Sequence, residues 1–170
     1  MNTLFTERLV LRPFREDDAE AVFRNWAYDE RVAKYCRWSP HQSIENTKEF
    51  LKMCVGAEYS WAITLKGNDE PIGSVDVVGK NSSGVYEIGY VLMYDHWGEG
   101  IMTETVSAVI EELFRCGFDR IGACHMIDNP ASGRVMEKCG MTYIRNDMSI
   151  SKFGSDEKCE VRYYEISRKL

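Results

Sequence analysis

Val91-Leu92-Met93-Tyr94-Asp95-His96-Trp97-Gly98-Glu99-Gly100-Ile101-Met102-Thr103 passes from an apolar, strand-like segment through a glycine-containing turn into the start of a helix. Beyond it, Met102, Val106, Val109, Ile110, Leu113 and Phe114 recur at helical spacing and share one face. Gly117 is placed to end that helix. The first turn of a helix has N–H groups without intrahelical partners, and the macrodipole adds partial positive charge there. Two glycines let another group approach the main chain closely. The stretch is therefore a candidate anion site, most suited to a phosphate or pyrophosphate. The glycines alone are equally compatible with a plain strand-to-helix connection. Two phosphate loops are excluded. A mononucleotide loop needs Gly-Lys-Ser/Thr, whereas Gly100 is followed by Ile101-Met102. A dinucleotide fingerprint needs a third glycine where Thr103 stands, inside a βαβ unit that the preceding segments do not build.

Upstream, Arg8-Leu9-Val10-Leu11-Arg12-Pro13-Phe14 alternates charged and apolar residues and reads as a strand. Asp17 and Asp18 open a helix whose apolar face is Ala21, Val22, Phe23 and Trp26. Ser43-Ile44-Glu45-Asn46 caps a second helix, continued by Thr47, Phe50, Leu51 and Val55. Three strand-like runs follow: 59–65, ending at Gly67-Asn68-Asp69; 72–78, ending at Asn81-Ser82-Ser83-Gly84; and 85–93. Their turn chemistry favours antiparallel hairpins. Downstream of the central helix, 121–127 reads as a buried strand. Asn129-Pro130 starts a short helix that Gly140 ends, and 141–150 and 160–167 form two last strands around Gly154-Ser155-Asp156. The order β, α, α, β, β, β, α, β, α, β, β predicts an α+β fold. Its sheet is mostly antiparallel, of about seven strands, flanked by about four helices and with one βαβ crossover.

A chain of 170 residues with 44% hydrophobic and 28% charged side chains fits one globular domain. No apolar run approaches the roughly 20 residues of a membrane helix, and no signal peptide is visible after Met1. The net charge of −6 argues against a nucleic-acid partner. Cys36, Cys54, Cys116, Cys124, Cys139 and Cys159 show no metal-ligand spacing, so no metal is expected and reduced thiols in a cytoplasmic protein are the reading.

The run Trp97-Gly98-Glu99-Gly100-Ile101-Met102-Thr103-Glu104 resembles the pyrophosphate loop of the GNAT superfamily, the acetyl-CoA-dependent N-acetyltransferases. Thr6-Glu7-Arg8-Leu9-Val10-Leu11-Arg12-Pro13 resembles the opening of the branch that includes ribosomal-protein N-terminal acetyltransferases. Glu87-Ile88-Gly89-Tyr90 resembles its strand before the loop. Asn129-Pro130-Ala131-Ser132 through Glu137-Lys138-Cys139-Gly140-Met141 resembles its later motif. The motifs occur in order over nearly the whole chain, which implies a single N-acetyltransferase domain over 1–170.

The resemblance implies acetyl-CoA as co-substrate and a primary amine as acceptor, on a protein N-terminus or a small molecule, attacking directly in a ternary complex. It implies that main-chain amides of Gly98, Glu99, Gly100, Ile101, Met102 and Thr103 hold the pyrophosphate. The strand before the loop then splays from its neighbour, and backbone groups of Val91, Leu92 and Met93 pair with the pantetheine arm. A strand-edge amide there polarises the acetyl carbonyl. Asn129 contacts the arm, although as a residue it also reads as a simple helix cap. Ser132 lies near the thioester sulfur. Trp26, Tyr35 and Trp38, which cluster with Tyr28, wall the acceptor site; at helical spacing such aromatics also read as core. Members are monomers or homodimers.

Where many relatives carry a tyrosine acid, this chain has Met136, which donates no proton. Ser132 is then the substitute candidate for protonating the leaving thiolate. Glu87 shares a strand face with Gly89 and Val91 and is the candidate base, acting through water; its other reading is a solvated or ion-paired strand charge. An α-amine, with pKa near 8, needs only about 1 kcal/mol to lose its proton at pH 7, against about 4–5 kcal/mol for lysine. His41, His96 and His125 show no triad or metal spacing; His96, in the loop, has a phosphate contact as its functional reading. The alternative function is a non-catalytic acyl-CoA-binding sensor, kept open by Met136.

Overall fold

The computed structural model describes residues 2–81 and 83–169. Strands β1 (Leu4–Phe5) and β2 (Leu9–Pro13) pair antiparallel, and β2 continues onto β3 (Ser60–Leu65). Between β2 and β3 lie α1 (Ala19–Val22), which runs on through a π turn at Phe23–Ala27, α2 (Glu30–Ala33) and α3 (Ile44–Cys54). Then come β4 (Asn68–Lys80), β5 (Tyr86–Leu92), α4 (Ile101–Arg115), β6 (Arg120–Met126), α5 (Pro130–Lys138), β7 (Thr142–Ile150) and β8 (Lys158–Ser167). The sheet order is β1-β2-β3-β4-β5-β6-β8-β7, and every neighbouring pair is antiparallel except β5–β6.

The α+β class and the crossover are as the sequence predicts. Among the described residues the sheet has eight strands rather than about seven, because Leu4–Phe5 adds a two-residue edge too short to show a periodicity. The extra helix, α2, is a single turn opened by Asp29, whose carboxylate accepts from the Arg31 N–H at 2.9 Å. β4 starts at Asn68, so the expected turn shrinks to Lys66-Gly67. The next expected turn includes Ser82, which lies outside the described residues.

Each sheet face has its own core. One holds Leu9, Leu11, Ile63, Val75 and Ile121 against Val106, Val109 and Leu113 of α4. The other packs Phe14, Val22, Trp26 and Leu51 over Ala62. The feature that positions the site is the parallel pair β5–β6. It is registered only at Tyr86↔Ile121 and Glu87↔Gly122. Beyond Glu87 the strands part, while β5 stays paired to β4 and β6 to β8. A gap therefore opens through the sheet between 88–92 and 123–126.

Candidate active site

The loop leaving β5 reverses through two left-handed residues, Gly98 (φ +84°) and Gly100 (φ +78°). A side chain at either would be strained. Gly100 is the N-cap of α4 and no side chain caps the helix. The first helical bond is from the Glu104 N–H to the Gly100 carbonyl at 3.1 Å. The N–H groups of Ile101, Met102 and Thr103 thus have no intrahelical partner. Ile101 and Met102 bury their side chains in the core, so what they can offer a ligand is main chain.

The N-terminal motif clamps this loop. Arg8 donates through Nη1 to the Glu99 carbonyl (3.0 Å) and through Nε to Glu104 Oε2 (2.7 Å). Glu104 Oε1 also accepts from the Thr6 hydroxyl (2.5 Å) and the Arg8 N–H (2.9 Å). Burial works against ionisation of Glu104, but these donors outweigh it and hold its carboxyl below the usual range. His96 Nδ1 bonds Glu99 Oε2 at 2.9 Å, so its ring is engaged within the loop. Trp97 donates its indole N–H to the Leu92 carbonyl at 2.8 Å and stacks on Tyr94, which Arg31 covers from 3.9 Å.

The edge of β5 is more selective than expected. The Met93 N–H is taken by the Ile72 carbonyl of β4 at 2.7 Å, and the register continues through Gly73↔Leu92 and Ser74↔Val91. Bonding alternates along an antiparallel ladder. Val91 and Met93 therefore turn their amides to β4, and Tyr90 and Leu92 turn theirs to the gap. Of the three residues expected to pair with an arm through the main chain, only Leu92 faces the gap, joined by Tyr90 from the end of the 87–90 motif.

Across the gap, Asn129 is the N-cap of α5, its Oδ1 accepting from the Ser132 N–H at 3.3 Å. Tyr90 spans the gap to Ser132: its hydroxyl lies 3.0 Å from the Ser132 carbonyl and 2.8 Å from Oγ. Donation to the carbonyl uses the phenol proton, so Ser132 Oγ–H is then the donor in the shorter contact. Burial raises the Tyr90 pKa, which keeps the phenol neutral. Met136, 1% exposed, belongs to the core.

Glu87 sits at the last paired position before the gap, opposite a bulge at Val78. It is half-buried, and burial raises its pKa against the lowering influence of Arg37, Arg145 and Asn81. No ion pair to Glu87 occurs among the described residues.

The aromatic cluster divides. Trp26 is 1% exposed inside the second core, so its expected acceptor contact is corrected: indole burial decides its position. Tyr35 and Trp38 stay half-buried, Trp38 packing on the His41 ring at 5.6 Å. The 33–38 segment is pinned by the β7–β8 turn. Lys152 Nζ donates to the carbonyls of Cys36 (2.6 Å), Trp38 (3.2 Å) and Ala33, and the Phe153 N–H donates to the Arg37 carbonyl (2.6 Å). Arg37 in turn reaches Cys124 Sγ of β6 at 3.4 Å. Arg37 and Lys152 carry no sequence motif that marks them, and the 87–90 motif that contains Tyr90 does not show that its hydroxyl reaches Ser132. All six cysteines are free, and burial pushes the Cys36 and Cys54 thiols up to about 12. Among the described residues no group of metal-ligating side chains forms, and no helix is long and apolar enough to cross a membrane.

A strand edge with free amides, leading to an uncapped helix start, is suited to an extended ligand that ends in a diphosphate. Residues 8–142 match the acetyltransferase (GNAT) domain family. YoaA of Bacillus subtilis (strain 168), described as an uncharacterized N-acetyltransferase, is 32% identical over 146 residues, 81% of each chain. A GNAT-family acetyltransferase from Bacillus anthracis superposes with a TM-score of 0.87 at 28% identity, covering 98% of both chains. RimL, a ribosomal L7/L12 alpha-N-protein acetyltransferase in complex with coenzyme A, shares the fold with a TM-score of 0.82 at 20% identity, again over 98% of both chains. The chain belongs to the GNAT acetyltransferases, enzymes that take the acetyl group from acetyl-CoA.

Proposed function

We propose that the protein transfers an acetyl group from acetyl-CoA to a primary amine, with a peptide or protein α-amine as the preferred class. The observation that carries this reading is the gap beyond Glu87↔Gly122, edged by the inward amides of Tyr90 and Leu92 and ending at the uncapped start of α4. The diphosphate of the co-substrate lies on the amides of 98–103. The arm runs along β5, and an inward β5 amide polarises the acetyl carbonyl as the oxyanion forms. The acceptor enters on the side of Tyr35 and Trp38. Glu87 takes the amine proton through water, and burial brings its pKa closer to neutrality, where a base works best. The amine nitrogen attacks the thioester carbon, the carbon–sulfur bond breaks, and Ser132 Oγ–H turns from Tyr90 to protonate the thiolate while a water returns a proton to Oγ. Tyr90 holds that hydroxyl in place from across the gap.

An α-amine fits better than a lysine, since at pH 7 it costs only about 1 kcal/mol to deprotonate, against about 4–5 kcal/mol for lysine. RimL acts on a protein N-terminus and supports the same acceptor class here. The test is calorimetry with coenzyme A, followed by thiol release with Ala- and Ser-initiated hexapeptides and with spermidine. Thiol release above the hydrolysis background supports transfer; binding without release establishes a sensor instead. Glu87→Gln is expected to lower kcat by roughly 10–100-fold, most at low pH, because at high pH the amine arrives deprotonated. Ser132→Ala is expected to lower kcat about tenfold without changing the Kd of coenzyme A. Unchanged pH–rate profiles in both variants remove the two assignments.

A further inference from the structure

Asp76 lies on β4, registered between Ser60 of β3 and Gly89 of β5. Its carboxylate accepts from the Ser74 hydroxyl at 3.0 Å on one oxygen and from the Ser60 hydroxyl on the other. Both serines are buried, yet Asp76 itself keeps part of its surface open to solvent. No cation pairs with it among the described residues. A deep carboxylate satisfied by two neutral hydroxyls is a charge without a counter-charge, which protein interiors seldom keep without a use.

Strand alternation places Asp76 on the sheet face of Gly89, Val91 and Glu87, beside the gap. Gly89 contributes no side chain there, and the nearest atom to where one would begin is Val78 Cγ1, at 3.0 Å. Between Asp76 and the gap the floor is therefore bare main chain bordered by Val78. Cys54 of α3 also faces Asp76, and burial keeps its thiol neutral. Glu87 lies two residues along β5 from the register partner Gly89, so both carboxylates serve one side of the sheet.

We propose that Asp76 is the ammonium anchor of the acceptor site, a specificity-determining carboxylate that selects primary amines arriving as cations. This rests on the acetyl-transfer reading and adds the acceptor's charge state to it. Asp76 binds the ammonium by charge-assisted hydrogen bonds, and the proton then leaves through water to Glu87. Affinity for a charged amine falls as pH drops and Asp76 protonates. Burial, opposed by Ser60 and Ser74, raises its pKa to about 6, and a bound ammonium pulls it back down.

The same geometry has a stability signature. A folded-state pKa above the unfolded one means that stability is lost as pH rises through the window from about 4 to about 6. Removing the charge should stabilise the ligand-free protein above that window and do little below it.

The test is Asp76→Asn, read four ways. The KM for an Ala-initiated hexapeptide and for spermidine is expected to rise about 30–100-fold, with kcat within about threefold. The KM for hydroxylamine, which is uncharged at neutral pH, is expected to stay within about twofold. The Kd of coenzyme A by calorimetry stays unchanged, and Tm rises near pH 8 but not near pH 4. An unchanged KM for both charged amines, an equal rise with hydroxylamine, or a lower Tm near pH 8 overturns the anchor. So does wild-type protein that binds coenzyme A but turns over neither charged amine. If wild-type protein binds no coenzyme A, the transferase reading itself fails. The Tm comparison then still decides whether Asp76 is an uncompensated charge.

Discussion

Arg12→Ala is expected to destabilise the protein by about 3–5 kcal/mol, the cost of leaving a buried carboxylate without its partner. Arg12 is 4% exposed and Asp18 is 5% exposed. The guanidinium donates twice to Asp18 (2.8 and 2.7 Å), to Asp69 Oδ1 (2.7 Å), to the Asp69 carbonyl (2.8 Å) and to the Pro13 carbonyl (3.0 Å). All five of its N–H groups are thereby used. They join β2 to the turn before α1 and to the start of β4. For a chain of this size the loss corresponds to roughly 10 °C in Tm. Arg12→Lys keeps the charge but has three donors and no fork, so it should recover only part of the loss. Denaturant titrations of both variants check this; a loss below about 1 kcal/mol in Arg12→Ala refutes the assignment of Asp18 as a dependent charge.

Gly100→Asp is expected to weaken coenzyme A binding about 1,000-fold. The substitution sets a carboxylate where the proposed diphosphate rests. Two like charges about 4 Å apart near a protein surface cost about 4 kcal/mol, which is close to three decades in Kd. Gly100→Ala separates backbone strain from charge: at φ +78° it should cost about 1–2 kcal/mol of folding stability, with and without ligand, and leave the Kd close to that of the wild type. Calorimetry on the pair measures the difference. Equal affinities in Gly100→Ala and Gly100→Asp place the diphosphate elsewhere.

Local signals made much of this molecule legible. The apolar spacing of Met102, Val106 and Val109, the caps at Ser43 and Asn129 and the glycines of the loop each report on a few neighbouring residues. The chain gives no such signal for contacts made at long range. Tyr90 meets Ser132 across 42 positions and Asp76 meets Ser60 across 16. Trp26 shows the complementary error: helical spacing identifies a face but not whether that face looks at a core or at a cleft. Val91 and Met93 turn their amides to β4 for a related reason. Which amides of a strand face a gap depends on the ladder with β4, fixed by one bond from Met93 to Ile72.

The grip of Lys152 on the 33–38 carbonyls links late-made chain to early-made chain, because its Trp38 partner lies 114 residues earlier. During vectorial synthesis the early segment must wait for this grip until the β7–β8 hairpin has left the ribosome and closed. The 33–38 segment thus gains this anchor only once β7 and β8 have been made, and a nascent chain halted before that hairpin holds its loop at Gly98 and Gly100 without it.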